Sequence, residues 1–303
     1  MKLTFNNFKK LLFESISSVY DAYEDILCDI FDVDDISKIT PKAYQQILDD
    51  YENNMLNEHD SSMLESAEKL VWKAANKDGY NIIAHHGTKH KFSEFKYGDI
   101  GFHLGTLDQA KIAVSWHEED ADKKTIYLNT AISLHNPLVI NYDLGDWHPE
   151  EIFSGAYSEL VRYIDDEESM HPLWNKNKIY DNVSKKLQQK KMGKYWSSDS
   201  VAQLYFLFNE LGFSIQEIKD INLLSKDISK NKIIEKLKAK KYDGIKYLNF
   251  YEVSSAHKGK EYSYIVFDAN QIKNCEVISF KDGKIIPLEN RFNKNTNNLF
   301  ETI

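Results

Sequence analysis

Residues 84–110 read Ala84-His85-His86-Gly87-Thr88-Lys89-His90-Lys91-Phe92-Ser93-Glu94-Phe95-Lys96-Tyr97-Gly98-Asp99-Ile100-Gly101-Phe102-His103-Leu104-Gly105-Thr106-Leu107-Asp108-Gln109-Ala110. An apolar, strand-like run from Tyr80 to Ala84 delivers a His-Gly-Thr to its end. A second short strand follows at Ile100–Leu104, and then a helix at Leu107–Ser115. Five of the 12 glycines (Gly79, Gly87, Gly98, Gly101 and Gly105) crowd into this part of the chain. Glycine weakens regular structure and is used where backbone must turn sharply or approach something closely. Concentrated beside histidines, it points to a small-molecule cleft.

The chain on either side has a different texture. Residues 1–76 read as helical: Phe5, Phe8, Leu11, Leu12, Ile16 and Val19 recur at spacings of three and four. Ser62 and Glu65 have capping-box spacing ahead of a helix to about Asn76, and Lys77-Asp78-Gly79 punctuates it. Beyond Tyr80, strands are predicted at Thr125–Asn129, Leu138–Tyr142, Ile245–Asn249, Tyr262–Asp268 and Cys275–Phe280, with a turn at Asp282-Gly283. Helices are predicted at Pro149–Asp165, Ser198–Leu211 (closed by Gly212 as a C-cap) and Ile228–Lys240. The alternation is irregular. No Gly-x-Gly-x-x-Gly opens a helix and there is no Walker-type loop, so an α+β fold is expected rather than a doubly wound one. The divisions are a helical N-terminal region over 1–76, a second domain over 77–288 and a flexible Asn-rich tail over 289–303.

Composition narrows the classes. In 303 residues, 42% hydrophobic and 13% aromatic content supports a sizeable core. A formal net charge of −9 disfavours a general nucleic-acid binder. The two cysteines, Cys28 and Cys275, make no disulfide framework, so a reducing compartment is expected. No apolar run reaches the roughly 20 residues that span a bilayer, and the N-terminus lacks a secretory signal pattern. The expectation is a soluble, cytoplasmic protein with no membrane partner.

His85 and His86 are adjacent, so on a strand only one of them faces a given side. A histidine at a strand end is as often structural as functional. The following Gly87-Thr88 favours function, because bare backbone can hold a planar amide and the imidazole and hydroxyl can hold sugar hydroxyls. A metal site built from His85, His86, His90, His103 and His117 is the rival reading. Zinc wants three or four ligands, often with Cys, and neither cysteine is nearby, so no metal is expected. Far along the chain, Tyr242-Asp243-Gly244-Ile245-Lys246-Tyr247-Leu248-Asn249-Phe250-Tyr251-Glu252 leads through a polar loop to Glu261 and Tyr262-Ser263-Tyr264-Ile265-Val266-Phe267-Asp268. Glu252 and Glu261 flank that loop and are the candidate carboxylates; an ordinary hairpin with a charged loop is the plain alternative. The lysine runs 185–194 and 236–241 read as solvated helix faces, or as docking sites for an anionic target such as nucleic acid.

Together, in order, these motifs resemble the ADP-ribosyltransferases, closest to the phage polyvalent-protein branch related to the diphtheria-toxin/PARP-like group. The resemblance rests on His86-Gly87-Thr88, Phe92 and Phe95, Gly101-Phe102-His103-Leu104-Gly105-Thr106, Gln109-Ala110, Asn136-Pro137-Leu138, Asp143-Leu144-Gly145-x-Trp147, Asp243-Gly244-Ile245-x-Tyr247-x-Asn249-x-x-Glu252 and Ser263 to Lys273. It spans roughly residues 80–274. It implies a split mixed β-sheet core that clamps NAD as co-substrate. His86 would contact the ribose, Gly87 would hold the nicotinamide carboxamide and Thr88 would add hydroxyl contacts. Phe102, His103, Tyr247 and Asn249 would line the NAD site. Glu252 would be the catalytic acid, with Glu261 second. The chain departs from the family's His-Tyr-Glu pattern in two places. The stacking tyrosine falls near Ile112, with Trp116 as a substitute, and Ser263 stands where that pattern has glutamate.

A separate resemblance concerns residues 1–14. They are similar to the capsid-targeting peptides of internal head proteins in large tailed phages, trimmed after Leu/Ile-x-Glu, here between Glu14 and Ser15. An ordinary amphipathic helix is the competing reading. The implied activity is transfer of ADP-ribose from NAD to a host macromolecule, protein or nucleic acid, with release of nicotinamide, in phage–host conflict. An antitoxin or a phage-head partner would accompany it, in the host cytoplasm or packaged in a head. The alternative is a non-catalytic head-packaged or partner-binding protein on a degenerate transferase fold.

Overall fold

The run Ile82–Thr88 forms strand β1, and its full length is paired antiparallel with β3, Ile126–Ile132, from Ile82↔Ile132 to Thr88↔Ile126. The His-Gly-Thr therefore lies within a strand, not at the end of one running from Tyr80. Tyr80 belongs to the preceding turn, where its N–H bonds the Ala75 carbonyl and its hydroxyl bonds that of Asn270. A computed structural model describes residues 16–90, 92–96, 99–116, 125–165, 199–252 and 261–299. The candidate targeting peptide 1–14, the lysine run 185–194 and His117 lie outside the described residues.

The architecture is mixed α+β, with eight α-helices and three small sheets among the described residues, the first helices being N-terminal. The chain divides into two compact units: Met1–Lys96, His117–Leu134 and Asp268–Ile303 in one, Tyr97–Trp116 and His135–Phe267 in the other.

In the first unit, β7 (Ile272–Asn274) adds to β3 to give the three-stranded antiparallel order β1-β3-β7. Helices α1 (Ile16–Phe31), α2 (Pro41–Glu52) and α3 (Glu58–Lys77) contribute to its core, where Tyr23, Ile26, Leu27, Leu64 and Leu70 gather with Val277, Ile278 and Phe292. Thr40 caps α2 ahead of Pro41. Helix α3 starts before the expected Ser62/Glu65 box, because Asn57 accepts the Asp60 N–H and Glu58 and Asp60 favour the positive end of the helix dipole. Segment 275–280 is not the predicted strand. Asn274 Oδ1 accepts from Glu276 N and Ser279 Oγ and curls the chain into a turn. A short hairpin follows, β8 (Phe280–Lys281) and β9 (Lys284–Ile285), around Asp282 and Gly283, both with positive φ as a tight hairpin turn requires.

The segment read as a flexible tail is fastened down as far as it is described. Arg291, 1% exposed, donates to the carbonyls of Ile286, Glu276 and Val277 and to the Tyr23 hydroxyl. Buried Lys273 donates to the carbonyls of Thr296 and Asn298, and Leu299 is buried.

The second unit holds the four-stranded mixed sheet β2-β6-β5-β4: β2 is Phe102–Leu104, β4 Leu138–Ile140, β5 Gly244–Leu248 and β6 Tyr262–Val266. The pair β4/β5 is parallel and so needs a long crossover. That crossover carries α5 (Pro149–Asp165), α6 (Asp199–Tyr205), α7 (Ile215–Ile221) and α8 (Lys226–Ala239), and α4 (Leu107–Ser115) follows β2. Helix α6 ends in a π-helical turn, Phe206–Glu210, and Gly212 closes it at positive φ with its N–H on the Phe208 carbonyl. Phe153, Phe206, Phe208, Phe213, Ile233 and Leu237 pack with Ile245 and Ile265 as the core. Among the described residues no helix is long and apolar enough to cross a membrane.

Two of the clustered glycines have a structural explanation. A Cβ on Gly101 would stand 2.2 Å from the Val266 carbonyl oxygen, so β2 meets β6 only because that atom is missing. A Cβ on Gly105 would stand 2.2 Å from Gln109 Oε1, which bonds the Thr106 N–H in the capping box that starts α4. These two glycines serve strand pairing and helix capping.

Candidate functional site

The polar centre of the second unit is the turn after β5. Asn249 is 1% exposed and uses both ends of its amide. Its Oδ1 accepts from Tyr251 N (3.0 Å) and Glu252 N (2.8 Å). Its Nδ2 donates to Glu252 Oε2 (2.7 Å) and Ser263 Oγ (2.9 Å). One amide thus folds the turn and grips the carboxylate that the turn carries. The third N–H of the turn, on Phe250, goes to Asp143 Oδ2 at 3.1 Å. The other oxygen of Asp143 accepts from Gly145 N (3.1 Å) and the Trp147 indole (3.2 Å).

Beneath the turn lies an aromatic layer. Tyr247 and Ser263 are cross-strand partners, as are Ile245 and Ile265 and also Ile265 and His103, so all five share one sheet face. The Tyr247 ring packs 4.6 Å from that of Trp147 and 6.2 Å from His103. Its hydroxyl lies 3.4 Å from His103 Nδ1. Trp147 in turn packs against Phe206 of the π-helical turn.

Burial sets the electrostatics. Desolvation pushes Asp143 up to about 6, against the pull of its three N–H donors, and nearby Asp199 adds to the rise. Glu252 is raised above the usual glutamate range, first by desolvation and then by the Asp143 charge, while the Asn249 amide opposes the shift. Tyr247 is raised well above the usual tyrosine value, by burial and then by Asp143 and Glu252. Tyr251 at the surface donates to Asp199 Oδ1 at 2.7 Å.

The sequence candidates fall into groups. Asn249 and Glu252 are joined directly, and Tyr247 and His103 meet below them. Phe102 pairs with Val266 and points to the other face of β2. The Glu261 carboxylate is directed to Thr106 Oγ1 (3.4 Å), while its carbonyl accepts the Asn249 N–H. Tyr247 is 2% exposed and Ser263 1%, so both support the turn from beneath. His86, Gly87 and Thr88 belong to the first unit, on β1. The His86 ring sits edge-on to Phe95 (5.0 Å) and Phe92 (6.0 Å), which gives the Phe92/Phe95 spacing a packing role. Thr88 Oγ1 accepts the His90 N–H at 3.1 Å. Trp116, the substitute for a stacking tyrosine, is 56% exposed.

Sequence reasoning missed Asp143 as a site residue. The signal was present in Asp143-Leu144-Gly145-x-Trp147, whose spacing gives one carboxylate both a turn N–H and an indole N–H. Among the described residues no group of three or more His, Cys, Asp or Glu could hold a metal ion. Set against known proteins, the chain matches no family model, no curated protein and no solved structure.

Proposed function

We propose that the chain is an NAD-dependent ADP-ribosyltransferase with a split-sheet core, in which Glu252 is the catalytic carboxylate. The observation that carries this reading is the grip of Asn249 on both Glu252 and Ser263. Ser263 stands where the resembling family has its glutamate, and one buried amide binds it and the Glu252 carboxylate together. The chain has a carboxylate beside that position without one on the strand itself.

In this reading His86 and Thr88 bind ribose hydroxyls and Gly87 backbone holds the nicotinamide amide. The C1′–N bond breaks with its electron pair leaving on nicotinamide, and positive charge develops on the ribose. Ionised Glu252 stabilises that charge. A nucleophile of the acceptor macromolecule, protein or nucleic acid, then bonds to C1′ and loses its proton. Glu252 acts as the anion and its proton affinity is raised, so activity should climb with pH through a limb above the ordinary glutamate value.

The test is incubation of a cell lysate with tagged NAD and the full chain. Label on a macromolecule that is lost in both His86→Ala and Glu252→Gln supports the transferase. Undiminished label in Glu252→Gln overturns the assignment of the acid. A second reading, a partner-binding protein on a degenerate transferase fold, is favoured by the serine at position 263 and predicts no label from the wild type.

A further inference from the structure

Every backbone N–H of the turn that carries Glu252 is held by a side-chain acceptor. Asn249 supplies two of them from inside the turn. The third comes from a residue 107 positions away in sequence, Asp143. Asp143 is 3% exposed, so solvent does not compete for its oxygens. Its second oxygen is fixed by Gly145 N and by the indole of Trp147, a ring packed 4.6 Å from that of Tyr247. The carboxylate is therefore held by three donors, and it fixes the Phe250 end of the turn.

We propose that Asp143 is a positioning residue for Glu252: it anchors the Phe250–Glu252 turn through the Phe250 N–H and so places the carboxylate that the turn carries. The anchoring follows from the hydrogen-bond geometry, and the charge of Asp143 raises the proton affinity of Glu252; its use in catalysis rests on the transferase reading. The titratable groups around the pair are Asp199, which acts on Asp143 and accepts from Tyr251, together with Tyr247, on which both carboxylates act. His103 lies one contact further, on the Tyr247 hydroxyl. While Asp143 is ionised, Glu252 holds its proton more tightly. Neutralising Asp143 removes that repulsion and frees the Phe250 end of the turn.

The test is a pH titration of the full chain carrying ¹³C-carboxyl glutamate, with the Glu252 signal identified by its loss in Glu252→Gln. In Asp143→Asn the Glu252 midpoint should fall by about half a pH unit or more, because a like charge has been removed. Trp147→Phe keeps the ring and deletes one donor to Asp143. Asp143 then stays protonated to higher pH, so the Glu252 midpoint should fall in the same direction by less. This variant decides the matter if Asp143→Asn does not fold. A Glu252 midpoint that stays at the wild-type value in the folded variants overturns the proposal. No NAD is needed, so this outcome is independent of whether the chain transfers ADP-ribose. If it does, Asp143→Asn should lower kcat, shift the acidic limb of the pH profile downward and leave KM for NAD near the wild-type value.

Discussion

The two sets of candidate residues are held in place by different means. His86, Gly87 and Thr88 are the last three residues of an antiparallel ladder, each opposite a partner on β3, and their placement follows from strand register. Glu252 lies four residues beyond the end of β5, where no ladder reaches, and its placement follows from Asn249 and Asp143. A ladder spreads the positioning over many backbone bonds, so a single side chain matters little. A turn built from two side-chain acceptors concentrates it, and one substitution can undo it. The first arrangement is expected to tolerate mutation and the second is not.

The largest effect should come from Asn249→Ala. It removes four hydrogen bonds at once and leaves the Tyr251 and Glu252 N–H groups and the Ser263 hydroxyl without that partner. The expected loss is about 3 kcal/mol in urea unfolding, since stranded buried polar groups cost more than the bond itself is worth. The Glu252 titration should move further up, because the amide that stabilises its anion is gone. Survival at wild-type stability would show that the turn is held by something other than Asn249.

A buried carboxylate in each unit sharpens the contrast. Asp143 takes three N–H donors, whereas Glu276 accepts the backbone N–H of Asn129 at 3.1 Å. Desolvation pushes Glu276 up to about 7. The folded protein then binds this proton more tightly than the unfolded chain. The contribution to stability is complete below the ordinary value near 4.5 and is lost as pH rises through about 7. Glu276→Gln keeps an oxygen for Asn129 and carries no charge, so it should gain about 2 kcal/mol near pH 8 and little near pH 4. Asp143→Asn also removes a charge that burial disfavours, but the donor it strands outweighs that gain. The substitution turns an NH₂ toward one of the three donors, and the chain should lose stability at both pH values by denaturant unfolding. The same sign for both substitutions would mean that donor count does not separate the two sites.

The difference between ladder and turn also explains what the sequence revealed. Strand alternation and capping residues are local, and they announced helix α4, helix α5, the Gly212 cap and the Asp282-Gly283 turn at the correct places. The extent of β1 was misjudged because its pairing with β3 depends on residues some 40 positions on. The same holds for segment 275–280, where a strand-like composition is overruled by one Asn274 side chain. At the site, Asn249 and Glu252 were legible because they lie three residues apart. Asp143 was not, since nothing local says that its oxygen meets Phe250. The buried anchoring of Lys273 and Arg291 was hidden for the same reason, as each bonds carbonyls of loops distant in sequence or recognisable only once folded.

The smallest effect is expected at Thr88. Its hydroxyl oxygen accepts the His90 N–H at 3.1 Å and donates to the His90 carbonyl at 3.3 Å, closing a local turn at the strand end. Valine keeps the β-branched shape that suits β1 and removes only these bonds, at a half-buried position where water can replace them. Thr88→Val should therefore change stability by no more than about 0.5 kcal/mol in urea unfolding. Against that quiet background a functional role becomes visible: a ribose contact through the hydroxyl would raise KM for NAD in the labelling assay while the fold stays intact. If Thr88→Val instead destabilised the chain as much as Asn249→Ala, the strand end would depend on one side chain just as the Glu252 turn does. The contrast between ladder and turn would then fail.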